Sequence, residues 1–294
     1  MAANMTKNMA RNPYIWKHIR FLGKISMSWD KPIVYRFTIY SRLKEIFCQK
    51  KLAFVSPEKW KDPFEKRYLD AEATENGALV ELPRIACLCF KMSMNDNSAA
   101  FWDAPSKADD FMVRISFDLF HLCSALEKFA ENTKSRIYIC AANYDYSVDG
   151  IKKAHRKKSI MNSSLEESYV RLMCLKRKAY KYEDELRIFV VWDQTNEHKI
   201  FRKYEEKGLI YVQCNPKHVI KTIMLESELY SKEHVAIDLG LYNKLTKKEF
   251  QEKEKKLIEK IRPVTIVHST FRNERIKQKI SFPLKEKNNK EDLL

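Results

Sequence analysis

Along the chain, short runs of alternating or wholly apolar residues suit strands, and stretches with apolar residues three or four apart suit helices. Ile33 to Tyr40 alternates β-branched and aromatic residues after Pro32 and is predicted as the first strand. Ser41 then opens a short helix carrying Leu43, Ile46 and Phe47, and Leu52 to Ser56 is a second strand. Ile85 to Phe90, Phe111 to Phe117, Arg136 to Ala142, Leu209 to Cys214, Val219 to Leu225 and Pro263 to Val267 read as further strands. Asp118 caps a helix from Leu119 to about Ala130. Ser164 with Glu167, and Thr246 with Glu249, form capping boxes for two more helices, the second running to about Ile261, and Lys232 to Leu245 is also helical. The stretch from Lys176 to Trp192 is a basic helical run that becomes a strand buried on both faces, through Glu183-Asp184-Glu185.

Strand runs outnumber helices and do not interleave strictly with them. The expected class is therefore α+β, with a largely antiparallel or mixed sheet flanked by helices. Residues 1–30, polar and basic with Tyr14, Trp16, Phe21 and Trp29, are expected as an N-terminal extension that packs through those large side chains. Residues 31–282 form a single α+β domain, and residues 283–294 a disordered charged tail.

Composition removes several function classes. The five glycines are isolated from one another, so no Gly-rich nucleotide loop exists. The histidines lack H-E-x-x-H spacing and no G-x-S-x-G elbow occurs. The seven cysteines lie mostly in apolar runs without C-x-x-C pairs, as suits reduced core residues; Cys87 and Cys89 share one strand face. No metal site is expected. No apolar run is long enough for a membrane span, and the N-terminus has no apolar signal region, so a cytoplasmic protein is expected. The net charge of +16 favours polyanionic partners, although it also suits a solubilising lysine-rich surface. Its densest run, Lys152, Lys153, Arg156, Lys157 and Lys158, is either a nucleic-acid contact or a solvated face.

In a strand, Glu183, Glu185 and Arg187 share a face. Two carboxylates and an arginine at the mouth of a buried strand can be a site with mutually perturbed ionisation, and the same spacing also fits a structural ion pair. Asp62-Pro63-Phe64-Glu65 is a fixed turn, since a residue before proline is held out of the helical region.

The order Tyr35-Arg36-Phe37, Leu52 to Pro57 leading to Asp62-Pro63-Phe64-Glu65, Ala86 to Phe90 followed by Trp102, then Lys176 to Arg187, resembles the bacterial family catalogued as domain of unknown function 2971. The resemblance spans about residues 33 to 270. Lys61 replaces the family's usual Asn, and Asp103-Ala104-Pro105-Ser106 replaces its residues after the tryptophan. That layout in turn resembles the ADP-ribosyltransferase superfamily. The resemblance implies an ADP-ribosyltransferase-like fold with NAD as substrate. Arg36 would hold the diphosphate or ribose; Ser56, Asp62 and Glu65 would border the nicotinamide side, with Tyr35 or Trp60 stacking on its ring. Glu185 would be catalytic, and Glu183 would orient or deprotonate the acceptor. It further implies a macromolecular acceptor, with RNA or DNA favoured by the charge, a toxin or anti-phage role, and a neutralising antitoxin as a candidate partner. Two alternatives stay open: a metal-dependent nuclease using Asp62, Glu65, Glu183 and Glu185 with Lys176 or Lys178, and a non-catalytic basic nucleic-acid-binding protein.

Overall fold

The computed structural model describes residues 16–66, 68–69, 73–75, 78–93, 101, 112–146, 164–193, 205–206, 208–225 and 265–268. The basic run 152–158, the Trp102 loop, the two expected helices between residues 232 and 261, and the C-terminal tail lie outside them. In chain order the strands are β1 (Ile19–Leu22), β2 (Ile33–Ile39), β3 (Lys51–Val55), β4 (Ala73–Glu75), β5 (Ala78–Val80), β6 (Arg84–Lys91), β7 (Met112–Asp118) and β8 (Arg136–Ala141). They continue with β9 (Asn143–Tyr146), β10 (Leu175–Arg177), β11 (Glu185–Trp192), β12 (Glu205–Glu206), β13 (Leu209–Gln213), β14 (Ile220–Leu225) and β15 (Thr265–His268). The helices are α1 (Tyr40–Gln49), α2 (Pro63–Lys66), α3 (Leu119–Thr133), α4 (Leu165–Leu172) and α5 (Pro216–Val219). Among the described residues no helix is long and apolar enough to cross a membrane.

The main sheet runs β1-β8-β11-β6-β2-β7-β14-β15 and is mixed but mostly antiparallel, as the sequence pattern predicts: only β1–β8 and β14–β15 are parallel. It branches at β6. Cys87 of β6 pairs with Val55 of β3, which leads on to β13 and β12, whereas Lys91 pairs with Tyr35 of β2. On the edge away from β11, β6 thus changes partner within four residues, and there the backbone between the two pairings has no strand beside it among the described residues.

Two apolar layers cover the sheet. On one face, Leu43 and Ile46 of α1 and Leu122, Leu126 and Phe129 of α3 pack on Leu88, Phe90, Ile115, Ile139, Leu186 and Ile188. On the other, Tyr169 and Val170 of α4, with Met173 and Cys174, pack on Cys87, Tyr138, Cys140, Phe189 and Val191. All eight residues of β11 are buried, which is why that run shows no alternation.

Local chemistry sets the helix starts. Asp118 accepts a hydrogen bond from the His121 N–H at 3.1 Å, capping α3 as expected. Ser164 accepts from the Glu167 N–H at 3.3 Å, but Glu167 binds Arg171 rather than reaching back, so only half of that capping box forms. The helix expected from Ser41 begins at Tyr40, with Ile39 at its cap position and no side-chain cap.

Residues 16–30 lie against the sheet. β1 pairs in register with β8, the Ile137 N–H donates to the His18 carbonyl, and Trp16, Phe21 and Trp29 meet Phe120 in one aromatic cluster. All seven cysteines are free; Cys48 is exposed, Cys89 half-buried and the others buried.

Candidate active site

The Lys176 to Trp192 stretch is not a helix leading into a strand. Lys176 and Arg177 belong to β10, Lys178–Glu183 winds as a 3-10 segment, and Asp184 turns the chain in the left-handed region at φ 44°. A short polar aspartate tolerates that conformation. The Met92 N–H donates to the Asp184 carbonyl, fixing the turn to the end of β6. Glu183 therefore lies outside the strand and is not a same-face neighbour of Glu185; it approaches from across the turn.

Lys176 joins the two carboxylates. Its ammonium lies 2.5 Å from Glu183 Oε2, 2.9 Å from Glu185 Oε2 and 3.2 Å from Glu65 Oε1. Arg187, 1 % exposed, donates from Nη2 to Glu65 Oε1 at 2.7 Å and to Glu185 Oε2 at 2.9 Å, and from Nη1 to the Met173 carbonyl at 2.6 Å. The point on which three carboxylates converge is thus occupied by a lysine ammonium, where the nuclease alternative would need a divalent cation. Among the described residues, the one His/Cys/Asp/Glu group close enough to share a metal is His18, Glu127 and Glu131, none of it in this cluster.

This environment drives the two glutamates apart. Burial alone would raise Glu185, but Arg187 and Lys176, with a hydrogen bond from Cys89, overrule it and hold the carboxyl at about 2. Glu183 moves the other way: its burial outweighs the attraction of Lys176 and lifts its pKa. Lys176 is held protonated, because Glu185, Glu65 and Glu183 together overcome its own burial. Cys89 stays a thiol, raised by its contact with Cys87, Sγ to Sγ 3.7 Å, and by burial.

Two clefts meet at this cluster. The larger, about 450 Å³, is lined by Trp60, Asp62, Glu65, Lys176, Arg177 and Tyr180 among others. The smaller, about 180 Å³, includes Tyr35, Arg36, Phe37, Lys91 and Phe101. Glu183, Glu185 and Cys89 line both. The pleat aims Arg36, paired with Ile115, at the face opposite Glu185. It lies at the branch of the sheet, however, and its Nη1 donates at 2.8 Å to the Cys89 carbonyl, on the edge of β6 away from β11, where no strand pairs with Cys89 among the described residues. The side chain thereby enters the gap and shares the smaller cleft with Glu185. Tyr35, paired with Lys91, which in turn pairs with Glu185, reaches that cleft by register.

The remaining expected residues divide. Trp60 packs its ring 4.6 Å from the Arg187 guanidinium, and Glu65 belongs to the ion cluster. Asp62 accepts from the Phe64 N–H and holds Arg177 at 2.9 Å. Ser56 lines neither cleft; its hydroxyl caps the turn Pro57–Lys59 by accepting from the Glu58 N–H. Lys152, Lys153, Arg156, Lys157 and Lys158 are outside the described residues. Sequence reading missed Lys91, Cys89 as a cleft residue, Arg177 and Phe101. Lys91 ends an apolar strand, and nothing local separates it from a surface lysine.

No family model matches the chain, so none carries the family resemblance read from its motifs, and no curated protein matches it. Among solved structures, DarT of Thermus sp. 2.9 in complex with ADP-ribosylated ssDNA aligns with 84% of this chain and 98% of its own, at 8% identity and a TM-score of 0.32. The same protein in complex with NAD+ gives 83% and 98% coverage, 8% identity and 0.31; with carba-NAD+ it gives 83% and 98%, 9% and 0.30. At that degree of similarity the chemistry of this chain has to be read from its own clefts.

Proposed function

We propose that the chain is an NAD-dependent ADP-ribosyltransferase acting on a macromolecular acceptor. The observation that carries this reading is an ionised, buried Glu185 sharing one cleft with Arg36, beside a larger cleft walled by Trp60 and Tyr180. In this reading the dinucleotide spans both clefts, with Arg36 on the diphosphate and an aromatic ring of Trp60 or Tyr35 against the nicotinamide.

The chemistry follows from the charges. The bond between ribose C1′ and the nicotinamide nitrogen breaks, its electron pair leaving with nicotinamide, while positive charge grows on the ribose. Glu185, fixed by Lys176 and Arg187 and needing no reorganisation, stabilises that charge. Glu183, whose raised pKa suits proton transfer, takes the proton of the acceptor nucleophile as the new bond to C1′ forms.

Nucleic acid is the acceptor favoured by the net charge of +16. We further infer a cytoplasmic toxin or anti-phage effector, which arrest of growth on expression tests.

The deciding experiment measures nicotinamide release and transfer of labelled ADP-ribose to RNA, DNA and lysate protein. Glu185→Gln keeps the size of the side chain and removes its charge, and should lower transfer about 100- to 1000-fold. Full activity in that variant would remove Glu185 from the mechanism; Mg²⁺-dependent strand cleavage without nicotinamide release would favour the nuclease.

A further inference from the structure

Lys91 ends β6, and its register neighbours are Tyr35 on one side and Glu185 on the other. It is 5% exposed. Its ammonium donates to the Tyr182 carbonyl at 2.9 Å and lies 4.8 Å from the centre of the Phe101 ring. An ammonium carries three N–H donors, so this one carbonyl leaves two of them to serve. Arg36 is in the same position: of its five donors, Nη1 meets the Cys89 carbonyl. Among the described residues neither cation has a carboxylate within ion-pair distance. Of the acids around them, Glu183 is taken by Lys176 and Glu185 by Lys176 and Arg187, while Asp184 attracts Lys91 only from beyond ion-pair distance.

A buried charge without a counter-ion is destabilising unless something pairs with it. The two cations bear that cost: burial lowers the pKa of each, and the attraction of Asp184 and Glu183 does not restore Lys91. Both line the same cleft of about 180 Å³, a volume for a charged group and not for a whole nucleotide. We propose that Arg36 and Lys91 form a two-cation clamp for the diphosphate of the substrate, with Lys91 as a binding residue that also sets a preference for diphosphate-bearing ligands. The inference rests on the transferase reading for the identity of the ligand, while the clamp itself requires only a diphosphate.

The test uses the full chain and isothermal titration with ADP, ADP-ribose and inorganic pyrophosphate, and with nicotinamide and adenosine as ligands without phosphate. Lys91→Met should weaken the three diphosphate ligands about 10- to 100-fold and leave the other two unchanged; Lys91→Arg, which keeps the charge, should stay nearer to wild type. Thermal melting of each variant guards against a folding defect, and should Lys91→Met not fold, Lys91→Arg and Lys91→Gln supply the comparison. Unchanged ADP and pyrophosphate binding in the charge-removing variant, or none in the wild type, overturns the clamp. Diphosphate binding that depends on Lys91, in a protein that releases no nicotinamide from NAD, supports the clamp and removes the transferase. Nicotinamide release with an unaltered KM for NAD in Lys91→Met keeps the transferase and removes the clamp.

Discussion

At the scale of single residues, two carboxylates within reach of one lysine have their pKa values moved in opposite directions. Glu185 is held at about 2 by Arg187 and Lys176, so it is charged throughout the working range. Glu183, raised above the usual 4.5 by burial, is the group whose protonation changes as pH falls. If it accepts the acceptor's proton, transfer requires its ionised form, so the rate falls on the acid side with a limb lying above pH 4.5. Glu183→Gln should abolish that limb and lower transfer to the acceptor about 100-fold or more, with NAD hydrolysis by water less affected. A pH–rate profile of the two variants checks it: an unchanged acid limb in Glu183→Gln assigns the limb elsewhere. The stability effect of Glu185 has the opposite sense. Its folded pKa is depressed, so its contribution is present above 4.5 and is lost as pH falls from there through about 2.

At the scale of elements, the site depends on one turn and one break. Asp184 at φ 44° brings Glu183 back over the start of β11, and the change of partner along β6 opens the gap that Arg36 enters. A β-branched residue cannot hold the left-handed region cheaply. Asp184→Val should therefore lose about 1–3 kcal/mol of stability and displace Glu183, lowering transfer, whereas Asp184→Gly or Asp184→Asn should keep both. Urea unfolding alongside nicotinamide release measures the two effects, and a fully active Asp184→Val would mean that the turn does not position Glu183. β11 itself is secured by burial. Leu186, Ile188, Phe189, Val190 and Val191 have no exposed surface, and each such side chain contributes roughly 1.5–3 kcal/mol, which keeps its first residue, Glu185, at a fixed height in the clefts.

At the scale of the whole molecule, the described N-terminal residues are part of what holds the site. β1 covers the edge of β8, the strand that flanks β11 on the side away from β6. Removing residues up to Leu22 would expose the β8 edge and leave Phe120 without the partner Trp16. Such a truncation should unfold the domain or lower its melting temperature by several degrees, and a truncated chain melting with the full-length one would assign β1 a peripheral role.

The residues alone determined the class of fold, because strand runs of five to eight residues with β-branched and aromatic content, separated by helices with Asp or Ser caps, leave few other packings. They also determined the double burial of β11, written directly in its unbroken apolar run, and they singled out Glu183, Glu185 and Arg36 by residue type and resemblance. Tertiary structure decided the rest. Whether Glu183 stood beside Glu185 on a strand or opposite it across a turn depended on a left-handed residue that local propensity does not reveal. Ser56 and Arg36 both read as site residues, yet one caps a turn and the other lines a cleft, since only Arg36 lies where the sheet branches. Lys91 and Lys176 are unremarkable lysines in a lysine-rich chain. The first is made a buried cation with no carboxylate at ion-pair distance among the described residues by strand register and the second the centre of three acids by a chain fold that brings Glu65 to it, and register between distant segments is a property of the whole sheet.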